Sequence, residues 1–252
     1  MTATPLPACI VTGSASGIGA ATVLALGHAG FQTFGLDIDL DCAQRVAMQA
    51  ELECPGTRHD AQRCDVANEG EVVAGFEAAL RFLGRLDALV TSAGVVDTTP
   101  FMDIGVEQFR RIHDVNVLGT WLCMREAARH MPTGGAICAV ASIAGMRGGG
   151  LSGTAAYAAS KGGVIALAKN AARVLARQGI RVNTVSPGAT DTPMIARPLS
   201  DPQHRQRIEG LALQRRVGQA HEIASGIVYL VSAQASFVQG ANLVIDGGIV
   251  LP

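Results

Sequence analysis

The sequence predicts an α/β sandwich, a doubly wound parallel sheet with helices on both faces. Three observations lead there. Short apolar runs alternate with segments of helical spacing along the whole chain. Several of those runs stop at glycine, as "ACIVTG" and "LDALVTSAG" do. The runs are also apolar at successive positions, so both faces of each strand are buried. Right-handed crossovers then leave the doubly wound arrangement as the economical topology.

Taken in order, 8–13 is a strand ended by glycine, and "GIGAATVLALGHAG" follows it at helical spacing. The second strand is "FQTFGLDI". Helical signals around 41–51 and 69–83 flank a short third strand, "RHDAQRCDV", and the fourth is "LDALVTSAG". A long helical pattern covers about 106–131 and precedes the fifth strand, "GGAICAVAS". Residues 155–178 read as helix, "IRVNTVSPG" as a sixth strand, 220–232 as helix and "ANLVIDGG" as a last short strand. No repeat, low-complexity tract or linker divides the chain, so 1–252 is expected to be a single domain. One stretch breaks the regularity: 192–213 is polar and proline-containing, and an irregular segment of that length reads as a lid, placed at about 193–213.

Composition works by exclusion. Of 252 residues 48% are hydrophobic and 4% aromatic, with 30 glycines, which suits closely packed helices on a sheet and argues against disorder. A formal net charge of −1 gives no electrostatic case for nucleic acid. Cys9, Cys42, Cys54, Cys64, Cys123 and Cys138 show no CxxC or zinc-like pairing and read as reduced structural thiols; no metal is expected. His113 and His130 lie on the long helix, and His28, His59, His204 and His221 show no paired carboxylate or metal spacing, so all six read as surface or helix-end residues. No basic leader precedes the first strand and no apolar run would span a bilayer, so a soluble, cytoplasmic protein with no membrane partner is expected.

The stretch "TGSASGIG", 12–19, sits between the first strand and the first helix. Gly13, Gly17 and Gly19, with Ser16 and Ile18 between them, form a turn whose backbone can approach a pyrophosphate at a helix N-terminus. A strand before it and a helix after it are the context that motif requires. Asp37 follows Gly19 by 18 residues. Its carboxylate can accept from both hydroxyls of an adenosine ribose and repels a 2′-phosphate. With Ser16 in the loop and Ile38 after the acid, NAD is expected rather than NADP. Asp37 also reads as a cap or turn aspartate, since Asp39 and Asp41 stand close by.

In "YAASK", Tyr157 and Lys161 are four residues apart and share a helix face. A free tyrosine titrates near about 10, roughly three units too high for a base at neutral pH. A lysine ammonium and a cationic nicotinamide both favour the phenolate. Tyr157 can then take the proton of an alcohol while hydride leaves its carbon, and act as acid in reverse. Ser142, ending the fifth strand, can hold the substrate oxygen. Asn116 lies in the long helix despite a poor helix propensity.

Together with "CDV" at 64–66, "SAG" at 92–94, "SPG" at 186–188 and "DGG" at 246–248, these motifs stand in the order of the short-chain dehydrogenase/reductase family. The chain resembles that family over nearly its whole length. The resemblance implies a Rossmann-type fold and hydride transfer between NAD and a small secondary alcohol or ketone. It implies that Asp65, beside Val66, meets the adenine and that Ala93 and Gly94 pass the cofactor. Lys161 would hold the nicotinamide ribose, and Thr192, in the run from Pro187 through Gly188 and Thr190, the carboxamide. Asn116 would hold a water in a relay through a local helix break. A homo-oligomer, dimer or tetramer, is implied as well. Two departures stand out. "TSAG", 91–94, replaces the family's NNAG, so the first amide's role falls to Thr91 or is lost. The connection from Ser142 to Tyr157 is longer than expected, through "RGGGLSGTAA". Arg147 in it reads either as a substrate contact or as a solvent- or subunit-facing residue. The rival readings are an NADPH-dependent 3-oxoacyl thioester reductase and a non-catalytic cofactor-binding scaffold.

Overall fold

The computed structural model describes residues 5–149 and 154–251. Its first strand, β1 (Ala8–Thr12), is buried at every position. It leads into α1 (Gly17–His28), and the unit repeats through β2 (Gln32–Asp37), α2 (Leu40–Glu53), β3 (His59–Arg63), α3 (Glu69–Leu83) and β4 (Ala88–Thr91). Next come α4 (Val106–His113), a π-helical turn at Asp114–Leu118, α5 (Gly119–His130), β5 (Ala136–Val140), the single turn α6 (Ala144–Arg147) and α7 (Ala155–Leu175). The rest is β6 (Arg181–Pro187), β7 (Thr190–Asp191), α8 (Ala196–Leu199), α9 (Pro202–Leu211), β8 (Gly218–Gln219), α10 (Ala220–Val231) and β9 (Asn242–Ile245).

Seven strands form one parallel sheet in the order β3-β2-β1-β4-β5-β6-β9, the doubly wound sandwich that the apolar runs predict. Alternate residues of β1 enter opposite cores. Ala8 and Ile10 join Leu89, Phe76, Leu122 and Val164 under α3, α5 and α7. Cys9 and Val11 join Val90, Leu26, Ile223 and Ile227 under α1 and α10. That double burial is why β1, β4 and β5 lack polar alternation. All six cysteines are free, and burial pushes the thiols of Cys64 and Cys138 up to about 12, which leaves them unreactive.

Two stretches depart from the sequence pattern. The helical signal at 106–131 is interrupted at Asp114–Leu118, where the π turn carries Asn116. The expected irregular lid is folded. Asp201 caps α9 by accepting from Gln203 N at 3.0 Å, with Pro202 at the first helical position, a regular start signal. Ile195, Leu199, Ile208 and Val217 give this flap an apolar cluster of its own. The pairs Thr190↔Gly218 and Asp191↔Gln219 tie its two ends together. Among the described residues no helix is long and apolar enough to cross a membrane.

Candidate active site

The sheet order reverses between β1 and β4, and in such folds the crevice at the carboxyl ends of those strands receives ligands. Here a cavity of about 310 Å³ occupies it. Ser16 makes no side-chain cap bond to α1 and the first turn holds no acid, so no side chain of the helix itself caps its positive end, where Ser16, Gly17 and Ile18 line the cavity. Gly13 has φ 69°, and a Cβ there would stand 2.6 Å from Ala93 N; only glycine lets the loop meet the exit of β4. Gly17 abuts Thr192 of the flap. Ser16, Gly17 and Ile18 line the cavity with Gly13. Gly19 does not: a Cβ on it would strike the Gly13 carbonyl oxygen, so it closes the helix onto the loop.

Asp37 sits in the cavity wall at the end of β2. Its two oxygens accept from Ala15 N at 2.9 Å and Asp39 N at 3.0 Å, which fixes the carboxylate. The helix-cap role belongs to Asp39, which accepts from Cys42 N at the start of α2. Asp65 and Val66 lie along one wall, with Ala93 and Gly94 at the exit of β4. Pro187, Gly188, Thr190 and Thr192 form the wall beyond β6.

Ser142 lies two residues beyond the end of β5. Its Oγ accepts from Ala144 N at 3.1 Å, and the residue lines the cavity together with Tyr157, near enough to favour the phenolate. The close crossing of α6 and α7 makes this possible: a Cβ on Gly145 would strike the backbone of Lys161 and Gly162. Lys161 is buried, with its Nζ donating to Val140 O at 2.8 Å and lying 5.9 Å from the centre of the Tyr157 ring. Burial lowers its pKa to about 8. Burial also raises the Tyr157 phenol above its ordinary value, against the lowering influence of Ser142. In the protein alone, desolvation therefore outweighs the depression expected from the neighbouring lysine.

Asn116 is fully buried and does not line the cavity. Its Oδ1 accepts from Val95 N, and its Nδ2 donates to Val95 O and Ser160 Oγ, all at 2.9 Å. The amide thus joins the exit of β4 to α7. Thr91 is buried with no hydrogen-bond partner for its hydroxyl among the described residues, so it leaves the bridging role of the family's asparagine unfilled. Arg147 is exposed and outside the cavity. Residues 150–153 of the long connection lie outside the described residues.

Motif reading missed several apolar residues that line the cavity, among them Val96, Ile143, Ala144, Met194 and Ile195. It also missed Arg111 of α4 on the wall. These positions carry chemistry-neutral residues or ordinary helix charges, and only the fold shows which way they face. Among the described residues no group of three His, Cys, Asp or Glu side chains converges as a metal site.

A family model described as enoyl-(acyl carrier protein) reductase matches residues 13–250. The cis-4-hydroxycyclohexanecarboxylate dehydrogenase of Sinomonas cyclohexanicum is 38% identical over 242 residues, covering 95% of this chain and 94% of that protein. The cyclopentanol dehydrogenase of Comamonas sp. (strain NCIMB 9872) is 36% identical over 241 residues, covering 95% of each. The crystal structure of a short-chain type dehydrogenase/reductase from Mycobacterium marinum superposes with a TM-score of 0.92 at 33% identity, covering 98% of this chain and 96% of that one. Sequence, fold and site agree, and the chain belongs to the short-chain dehydrogenase/reductase family.

Proposed function

We propose that the protein is an NAD-dependent dehydrogenase that transfers hydride between its cofactor and a compact, apolar secondary alcohol or the matching ketone. The observation that carries this reading is one cavity lined by the glycine loop, Asp37, Ser142, Tyr157 and Lys161. The cradle at Gly13, which a Cβ would fill, and the uncapped end of α1 fit a dinucleotide pyrophosphate. Asp37 fits the ribose hydroxyls of NAD and opposes the extra phosphate of NADP. When bound, the nicotinamide supplies the hydride acceptor. The substrate oxygen is held between the hydroxyls of Ser142 and Tyr157, and Tyr157 takes or returns the proton at that oxygen. Val96, Ile143, Met194 and Ile195 keep water from the carbinol carbon and favour an apolar frame. The alicyclic substrates in the names of both relatives support that choice.

Paired fluorescence titrations with NADH and NADPH test the cofactor assignment. The parent protein should bind NADH at least about tenfold more tightly, and Asp37→Ala should narrow the gap to within about threefold. A preference for NADPH in the parent removes Asp37 as the ribose reader and favours an acyl thioester reductase.

A further inference from the structure

Asp97, on the segment between β4 and α4, is 3% exposed, and no cation pairs with it among the described residues. Neutral donors surround it instead. Oδ1 accepts from Gln108 Nε2 at 2.6 Å and from Thr99 N at 3.0 Å. Oδ2 accepts from Thr154 Oγ1 at 2.6 Å, and the Asp97 carbonyl oxygen accepts from Thr154 N at 3.0 Å. Burial pushes this carboxyl up, but the bonds from Thr154, Thr99 and Gln108 together hold it below its ordinary value. A charged group kept ionised out of water needs such a complete set of partners.

Thr154 occupies the N-cap of α7, where a threonine ordinarily turns its hydroxyl onto the helix's own N–H groups. It makes no such bond here. The hydroxyl reaches a residue 57 positions away. Tyr157 lies one turn further along α7. In the turn after that, Ser160 is bonded to Asn116, which holds Val95 by both its N–H and its carbonyl. The segment 95–97 is therefore bonded to α7 on both sides of Tyr157, by Asp97 before it and through Asn116 after it.

We propose that Asp97 is a positioning residue that acts through Thr154 to set the first turn of α7 and so the place where the Tyr157 hydroxyl meets Ser142. Its consequence for turnover rests on the acid/base reading of Tyr157; its geometric part does not. Thr154→Val removes the donor at nearly constant volume and keeps the Asp97 charge, and Thr154→Ser restores the donor. The chain has two tyrosines, Tyr157 and Tyr229. Tyrosine labelled with carbon-13 at Cζ, in a Tyr229→Phe background, gives a single NMR resonance from Tyr157.

That resonance should move in Thr154→Val and return to the parent position in Thr154→Ser, while NADH binding stays unchanged. With cyclopentanol and NAD, kcat should fall about tenfold or more while KM for NAD stays within about twofold. A parent-like resonance in Thr154→Val overturns the proposal, as does a shift without loss of kcat or one that serine fails to reverse. A parent that turns over no alicyclic alcohol counts against the proposed function, and the resonance then decides the positioning role alone. Should Thr154→Val not fold, Asp97→Leu takes its place, since a side chain of similar shape then offers the Thr154 hydroxyl no acceptor, and the resonance is read in the same way.

Discussion

Lys161 holds its ammonium group buried beside the Val140 carbonyl oxygen, 2.8 Å away, and burial brings its pKa down to about 8. In an unfolded chain lysine titrates near about 10.4, so the native protein binds this proton the more weakly. Stability should rise with pH between those values, where the unfolded chain keeps a proton the native state has lost; below about 8 the full cost is present. Lys161→Met should therefore stabilise the protein at neutral pH, by on the order of 2–3 kcal/mol, and the difference should fade above about pH 10. Urea denaturation of both proteins across that range measures it. A less stable Lys161→Met at neutral pH would mean that the Val140 bond outweighs burial. A residue held at such cost beside Tyr157 is consistent with a functional rather than a stabilising role. The pair was legible in the sequence because both partners lie on one turn of one helix. Asp97 was not, because its partners Gln108 and Thr154 are 11 and 57 positions away and none of the three belongs to a motif.

Elements with a strong local signal are legible: β1, β4 and β5 are almost wholly apolar runs, and α3 begins and ends as its pattern requires. The flap was not, because α9 is short and its polar face dominates its composition, while the apolar cluster beneath it draws Val217 from beyond the helix. Its junction with α10 is tied by Arg216, whose guanidinium meets Glu222 at 2.7 Å and 2.6 Å. The Arg216 guanidinium, with the Gln219 N–H behind it, holds the Glu222 carboxyl at about 2. An unfolded glutamate titrates near about 4.3. The contribution of this clamp is present above that pH and is lost as pH falls toward 2. Both side chains are partly exposed, at 48% and 32%, so solvent keeps the effect small. Glu222→Gln should lower the thermal midpoint slightly at neutral pH and flatten its fall on the acid side. An unchanged acid limb would remove the clamp from the stability of the flap junction.

Across the whole molecule, the sheet order brings four separate stretches to one edge: the loop after β1, the exit of β4, the exit of β5 and the first turns of α7. The motifs named the polar side chains there, and the reversal of strand order explains why residues as far apart as Gly13 and Thr192 share a wall. What the motifs could not give is the way Val95–Asp97 is bonded to α7, since it depends on tertiary packing alone. In the proposed reaction Tyr157 moves the proton. The most direct test measures NAD reduction on a panel of alicyclic secondary alcohols by the parent protein and by Tyr157→Phe, with NADH affinity determined for both. Turnover by the parent, a loss of about a hundredfold or more in Tyr157→Phe and NADH affinity within about twofold are the expected results. Near-parent turnover in Tyr157→Phe would remove Tyr157 as the acid/base of the proposed reaction.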